Sequence, residues 1–154
     1  DLNRVYELTQ RTNQMNFSGN RYTHGNLKAI LYDQSLLKYV LRCNDRFGSY
    51  GTVGFSLINR EQATMTDLMF SCRIQSKRIE HAFITFVLKE FVKKGKRDFY
   101  ANYRKTDRNT QSGKVFEDFG FEVISLENGI TRLLFPKDRP ILDDGVINVV
   151  SVLY

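Results

Sequence analysis

The sequence has no tryptophan, two prolines and two cysteines in 154 residues. Cys43 and Cys72 form no Cys-x-x-Cys pair and have no histidine cluster beside them, which leaves neither a disulfide framework nor a metal site to read. Reduced thiols in a cytoplasmic protein are the expectation. No apolar run approaches the roughly 20 residues needed to span a bilayer, so no membrane partner is expected. No signal-peptide pattern is visible, and a start at Asp1 rather than Met reads as a domain cut from a longer protein. Internal repeats and low-complexity segments are missing too. The net charge is +6, but the charges are scattered, and neither an RNA-binding aromatic signature nor zinc-finger spacing accompanies them. That excludes nucleic acid as the expected partner and leaves phosphorylated cofactors or acidic carrier proteins as the anions such a charge favours. The length suits one domain with a genuine core.

The chain is organised around residues 65–95. An apolar stretch, Met65 to Cys72, leads through a basic turn, Arg73 to Arg78, into a long helix. Ile79, Ala82, Phe83, Phe86 and Val87 recur at helical spacing, and Ile84, Leu88 and Phe91 widen the apolar face. Lys93 and Lys94 suit the negative end of the dipole, and Gly95 suits the residue just past the helix. The amides of the first turn point back into the basic turn, where they could receive a phosphate.

Around this centre the pattern predicts a helix over 3–15 and a second from a Thr23 cap to Asp33. Strands are predicted over 36–42, 52–58 and 63–72, then 98–103 after the long helix. A short helix over 111–119 is closed by Gly120, and strands 121–126 and 130–135 form a hairpin through Asn128-Gly129. A β-branched tail over 146–154 reads as a strand needing an edge to pair with. Antiparallel strands feeding a strand–helix–strand crossover predict an α/β or α+β domain over 1–135, its sheet covered by helices, with 1–22 as N-terminal helix and loop and 136–154 as a tail.

That order, with particular strings in it, resembles the Gcn5-related N-acetyltransferase fold and, more closely, the C-terminal domain of FkbH-like proteins. The strings are Thr12-Asn13-Gln14-Met15-Asn16, Ser71-Cys72-Arg73 with Ile79-Glu80, and Thr106 and Asn109 followed by Phe116 and Gly120-Phe121. The resemblance runs from near residue 4 to residue 135. It implies a mixed, mostly antiparallel sheet with helices on both faces and a V-shaped split between the strand ending at Cys72 and the strand at Phe99. A pantetheine arm would lie there, from acyl-CoA or an acyl carrier protein, along Phe70, Ser71 and Cys72. Its pyrophosphate would sit on Gln75, Ser76, Lys77, Arg78 and Ile79, with Asn109 and Phe116 nearby. The acyl group would pass to an amine, hydroxyl or thiol. Family context implies polyketide or related biosynthesis and an upstream haloacid-dehalogenase-type domain. The chain departs from the family in two places. Residues 75–80 contain no glycine, so any left-handed position there is strained. Phe116 stands where a proton-donating tyrosine is common, and general acid catalysis is worth about 10²–10⁴-fold. The alternative is a degenerate, non-catalytic module that docks a carrier protein or supports the upstream domain.

Each candidate also has a plainer reading. Residues 75–78 would otherwise be a solvated basic turn, and Asn109 a helix N-cap. Asn13, Gln14 and Asn16, candidates for the substrate end, could simply bond locally at a helix C-terminus. His81 is a general base by residue type or a capping histidine. Asp67 could activate an acceptor if it faces the split. Alternation sets Asp67, Met69 and Ser71 against Leu68, Phe70 and Cys72 without saying which side that is. Cys72 has no base partner and reads as a buried small residue.

Overall fold

The computed structural model describes residues 2–12, 14–143, 145 and 147–152. Helices α1 (Leu2–Arg11) and α2 (His24–Tyr32) precede strands β1 (Leu36–Asp45), β2 (Gly48–Asn59) and β3 (Thr64–Phe70). Then come α3 (Ile79–Leu88), β4 (Phe99–Tyr103), α4 (Val115–Phe119), β5 (Glu122–Glu127) and β6 (Ile130–Phe135). The six strands form one sheet in the order β1-β2-β3-β4-β6-β5. Every neighbouring pair is antiparallel except β3 with β4.

The apolar residues of β2 and β3 divide between two cores. Phe55, Leu57 and Met69 pack with Val5, Leu8 and Leu27 of α1 and α2. Val53, Leu68 and Phe70 pack with Phe83, Ile84, Val87 and Leu88 of α3, joined by Phe116 and Phe119 of α4. Helices therefore cover both faces. Among the described residues no helix is long and apolar enough to cross a membrane.

Local chemistry sets most element ends. Thr23 caps α2 through a capping box with Asn26. Helix α1 stops at Arg11, four residues short of the expected end, because Arg21 Nη1 donates to its last carbonyls, Thr9 O at 2.6 Å and Gln10 O at 2.9 Å. Past α3 the helix widens into a π-turn, Lys89–Lys94. Gly95 follows with a right-handed φ of −78°. It is needed for room, since a Cβ there would meet Phe91 O at 2.5 Å; the left-handed residue is Lys96 instead, φ 54°.

The tail departs from expectation. Residues 147–152 form no strand, and Val146, Leu153 and Tyr154 lie outside the described residues. The segment before them is fastened to α3 by side chains rather than to a sheet edge. Thr85 Oγ1 donates to Leu142 O at 2.9 Å, and Lys89 Nζ binds the Asp143 carboxylate.

Candidate functional site

Strands β3 and β4 are paired only at Thr64–Tyr100 and Met65–Ala101, with Tyr100 N–H donating to Ala63 O at 2.8 Å. Beyond Met65 they diverge. This is the V-shaped split, and it opens toward the turn that leads into α3.

The split is filled by the chain itself. After α1, residues 15–17 run antiparallel to the end of β3, with Asn16 opposite Met69. Phe17 N–H donates to Leu68 O at 3.0 Å, and Phe70 N–H donates to Met15 O at 3.0 Å. On the other wall Arg104 N–H, just past β4, donates to Phe17 O at 2.9 Å. Met15 and Phe17 point into the α3–α4 core. Phe17 lies 5.8 Å from Phe116, edge-on, and 6.3 Å from Tyr103.

A buried asparagine clasps this inserted strand. Asn109 is 0% exposed. Its Nδ2 donates to Asn16 O at 2.9 Å and Arg104 O at 2.8 Å. Its Oδ1 accepts from Thr106 N–H at 2.8 Å and Tyr103 Oη at 3.0 Å. It is not the cap of α4, which begins six residues later. Two strings singled out in the sequence, around Asn16 and around Asn109, thus meet across the split. Gln14 is exposed and Asn16 buried. Asn16 also serves its own loop, donating to Asn20 O and accepting from Gly19 N–H, both at 2.9 Å. Asn13 lies outside the described residues.

At the mouth, Ser71 N–H donates to Val53 O at 2.7 Å, and the Ser71 hydroxyl caps the short turn Cys72–Ile74. The strand has ended by then, so Ile74 takes the buried place and Cys72 is exposed, contrary to the buried cysteine expected. Gln75, Ser76, Lys77 and Arg78 are exposed and Ile79 is partly buried. Ser76 (φ 68°) and Arg78 (φ 61°) are both left-handed, a conformation costing about 1–3 kcal/mol without glycine. Arg78 is the residue from which α3 starts, with no side-chain cap on the first amides. Lys77 leans away, onto the Tyr50 ring at 4.9 Å and toward Asp45 at 3.8 Å.

Asp67 lies on the face covered by α1 and α2, beneath the loop that follows the inserted strand. Asn20 Nδ2 donates to its Oδ1 at 2.9 Å. Burial pushes its carboxyl above the ordinary 3.8, while hydrogen bonds from Ser18, Asn20, Tyr22 and Thr66 pull it back. A carboxyl whose proton affinity rises on folding stabilises the fold most below its ordinary value and loses that contribution as pH rises through the raised one. Denaturant midpoints of the parent and Asp67→Asn should therefore diverge, in the variant's favour, as pH rises from about 4 toward neutrality. Parallel pH profiles would contradict this.

His81 lies on the opposite face. Its Nδ1 is 3.0 Å from Glu80 Oε1 and its Nε2 3.0 Å from Asp118 Oδ2, so it brackets α3 to α4. Arg78, His81 and Phe86 also line a cavity of about 840 Å³ with Phe119, Asp143 and Val149. Phe116 is buried between Phe17, Tyr103 and Phe121. A smaller hollow of about 310 Å³ on the inserted-strand side is lined by Thr12, Asn16, Gly19, Arg21, Thr106 and Arg108. Tyr103 and Arg104, which hold the far wall, were not singled out in the sequence. The one signal for Tyr103 is Gly113, whose missing Cβ makes room for the phenol: a Cβ there would stand 2.2 Å from Oη.

No protein-family model and no curated protein matches the sequence. Solved structures do match the fold. The ribosomal-protein-S18-alanine N-acetyltransferase of Escherichia coli superposes with TM-score 0.67 at 14% identity, covering 96% of this chain and 94% of that one. A domain from Methanocaldococcus jannaschii gives 0.70 at 15% identity, covering 88% and 92%. The spermidine N-acetyltransferase of Vibrio cholerae, in complex with CoA and spermine, gives 0.65 at 15%, covering 90% and 91%. The fold is that of the Gcn5-related N-acetyltransferases.

Proposed function

We propose that this chain is an acyltransferase-type domain that takes the acyl group of a phosphopantetheine thioester, acyl-CoA or acyl carrier protein, to an amine. The observation that carries this reading is the divergence of β3 from β4 after two residue pairs, beside the start of α3. The phosphorylated handle would rest on the turn of Gln75, Ser76, Lys77 and Arg78 and on the first amides of α3, where dipole and charge both favour an anion. The arm would run past Phe70, Ser71 and Cys72. The amine nitrogen attacks the thioester carbonyl, the carbon–sulfur bond breaks, and the thiolate leaves. Holding the two reactants together supplies most of the acceleration. Asp67, on the inserted-strand side, is the group we assign to take the amine's proton. We assign no proton transfer to His81, whose nitrogens both face carboxylates. Phe116 has no proton to give the thiolate. The FkbH-like resemblance extends the proposal to an acidic carrier protein as donor and an upstream haloacid-dehalogenase-type domain as neighbour.

A second reading, a non-catalytic module of the same fold that docks a carrier protein, is favoured by the filled split and the glycine-free turn. Thermal unfolding with coenzyme A separates the two. Ligand at about 100 times its dissociation constant adds about 2.7 kcal/mol. A rise in Tm with coenzyme A supports the first reading; no shift at millimolar coenzyme A, with binding to an acidic carrier protein but no acyl transfer from it to an amine, supports the second. Ser76→Gly combined with Arg78→Gly relieves two left-handed side chains and also removes one cation of the cradle; tighter coenzyme A binding by this variant than by the parent would show that the turn hinders the ligand and support the second reading.

A further inference from the structure

Three backbone groups face into the split from its walls: Leu68 O and Phe70 N–H on β3, and Arg104 N–H beyond β4. All three are already bonded to residues 15–17. An extended arm with its own amides would use the same groups, because a strand edge offers nothing else to bond. Arm and inserted strand are therefore alternatives. Resting on the thioester reading above, we propose that residues 15–17 are a gate, a strand of the chain's own that occupies the arm's slot and must leave it before the arm can bind.

Three observations argue for exchange. The strand is not continuous with either helix. Arg11 ends α1 before it, and the left-handed Gly19, φ 73°, follows it, a position that concentrates backbone rotation in one residue. Gly19 also lies against Arg104, where a Cβ would stand 2.9 Å from Cδ, so the turn after the strand rests directly on the far wall of the split. Met15 and Phe17 seat one face of the strand in the core, and the fastenings of its other face are polar. Asn109 holds Asn16 O, the Asn16 amide holds Asn20 O, and Asn20 holds Asp67. Water can take over such partners when the strand departs.

The gate predicts that holding the strand in place abolishes binding of the arm. Asn16 and Met69 form a pair whose flanking bonds, Phe17 to Leu68 and Phe70 to Met15, mark it as the narrow kind, with Cα atoms about 4.5 Å apart. A disulfide accommodates that separation. Asn16→Cys with Met69→Cys, in a chain where Cys43→Ser and Cys72→Ser leave no other thiol, locks the strand when oxidised and frees it when reduced. The probe is acetyl-coenzyme A, which has no free thiol to attack the bridge. The expected result is at least tenfold tighter binding by the reduced than by the oxidised form. Equal affinity in both forms would overturn the gate and leave the thioester reading standing. Binding by neither form, while the unmodified chain also binds nothing, would overturn the thioester reading and the gate with it. Should the double variant fail to fold, amide hydrogen exchange of the unmodified chain decides. The Phe17, Phe70 and Arg104 amides are expected to exchange at least tenfold faster than the slowest amides of β4 and β6. Exchange of all of them at one common rate, through global unfolding alone, would overturn the gate.

Discussion

Phe17→Ala is expected to cost about 3–5 kcal/mol of folding stability, the range for deleting a buried aromatic ring from a packed core. Phe17 is 1% exposed, and its ring sits against Tyr103 and Phe116, so the space it leaves is walled by residues of two other elements and collapses poorly. Phe47, 80% exposed at a hairpin tip, is the control, and Phe47→Ala should stay within about 0.5 kcal/mol of the parent. Denaturant unfolding measures both. A cost below about 1 kcal/mol at Phe17 would mean that the inserted strand is not seated in the core as described.

Asn109→Leu should be nearly as severe, for a different reason. The substitution keeps much of the volume and removes all the polarity. Asn16 O, Arg104 O, Thr106 N–H and Tyr103 Oη then each lose a bond they make to the Asn109 amide. A buried group left without its partner costs about 1–3 kcal/mol. Tyr103 Oη keeps its bond to the Asn109 backbone carbonyl, and loosening of the loop lets water reach some of the others, so the expected total is about 3 kcal/mol rather than the full sum. Asn109 and Phe17 hold the same strand, so their effects should not add. In a double-mutant cycle with Phe17→Ala the second substitution is expected to cost less than it does alone. Strict additivity would separate the clasp from the strand.

Features that depend on neighbours in sequence were legible before the structure. The Thr23 cap and the Asn128-Gly129 hairpin follow from side-chain and backbone chemistry within a few residues. So does the apolar face of α3, because helical spacing alone sets it. Gly95 was legible in place but not in reason: it clears a carbonyl, while Lys96 takes the left-handed turn. The inserted strand left no such trace. Met15-Asn16-Phe17 is too short to show a period of its own, and what makes it a strand is Met69 and Arg104, distant in sequence. The helical spacing of Val5, Leu8 and Thr12 therefore ran on past Arg11, since nothing local announces that Arg21 closes α1. Cys72 misled for a related reason. Strand alternation carried through Ser71 would bury it, but Ser71 caps a turn and the alternation stops there. The tail has strand composition, yet Thr85 and Lys89 fasten the segment before it to a helix.

The candidate site was legible in its residues more than in their partners. The strings around Asn16 and Asn109 meet across the split through one bond, Asn109 Nδ2 to Asn16 O, while Ser71 sits at its mouth and bonds to Val53 O. The glycine-free turn could be read directly, and the left-handed φ at Ser76 and Arg78 gives that absence its cost.

The central claim is that a thioester's phosphorylated handle and arm sit at the start of α3 and along the end of β3. An amide NMR shift map during addition of coenzyme A tests it most directly. The account predicts the largest shifts at residues 75–81 and 68–70, with Phe17 and Arg104 moving as the inserted strand gives way. Shifts confined to β5, β6 or the tail, or no shifts at all, would contradict it.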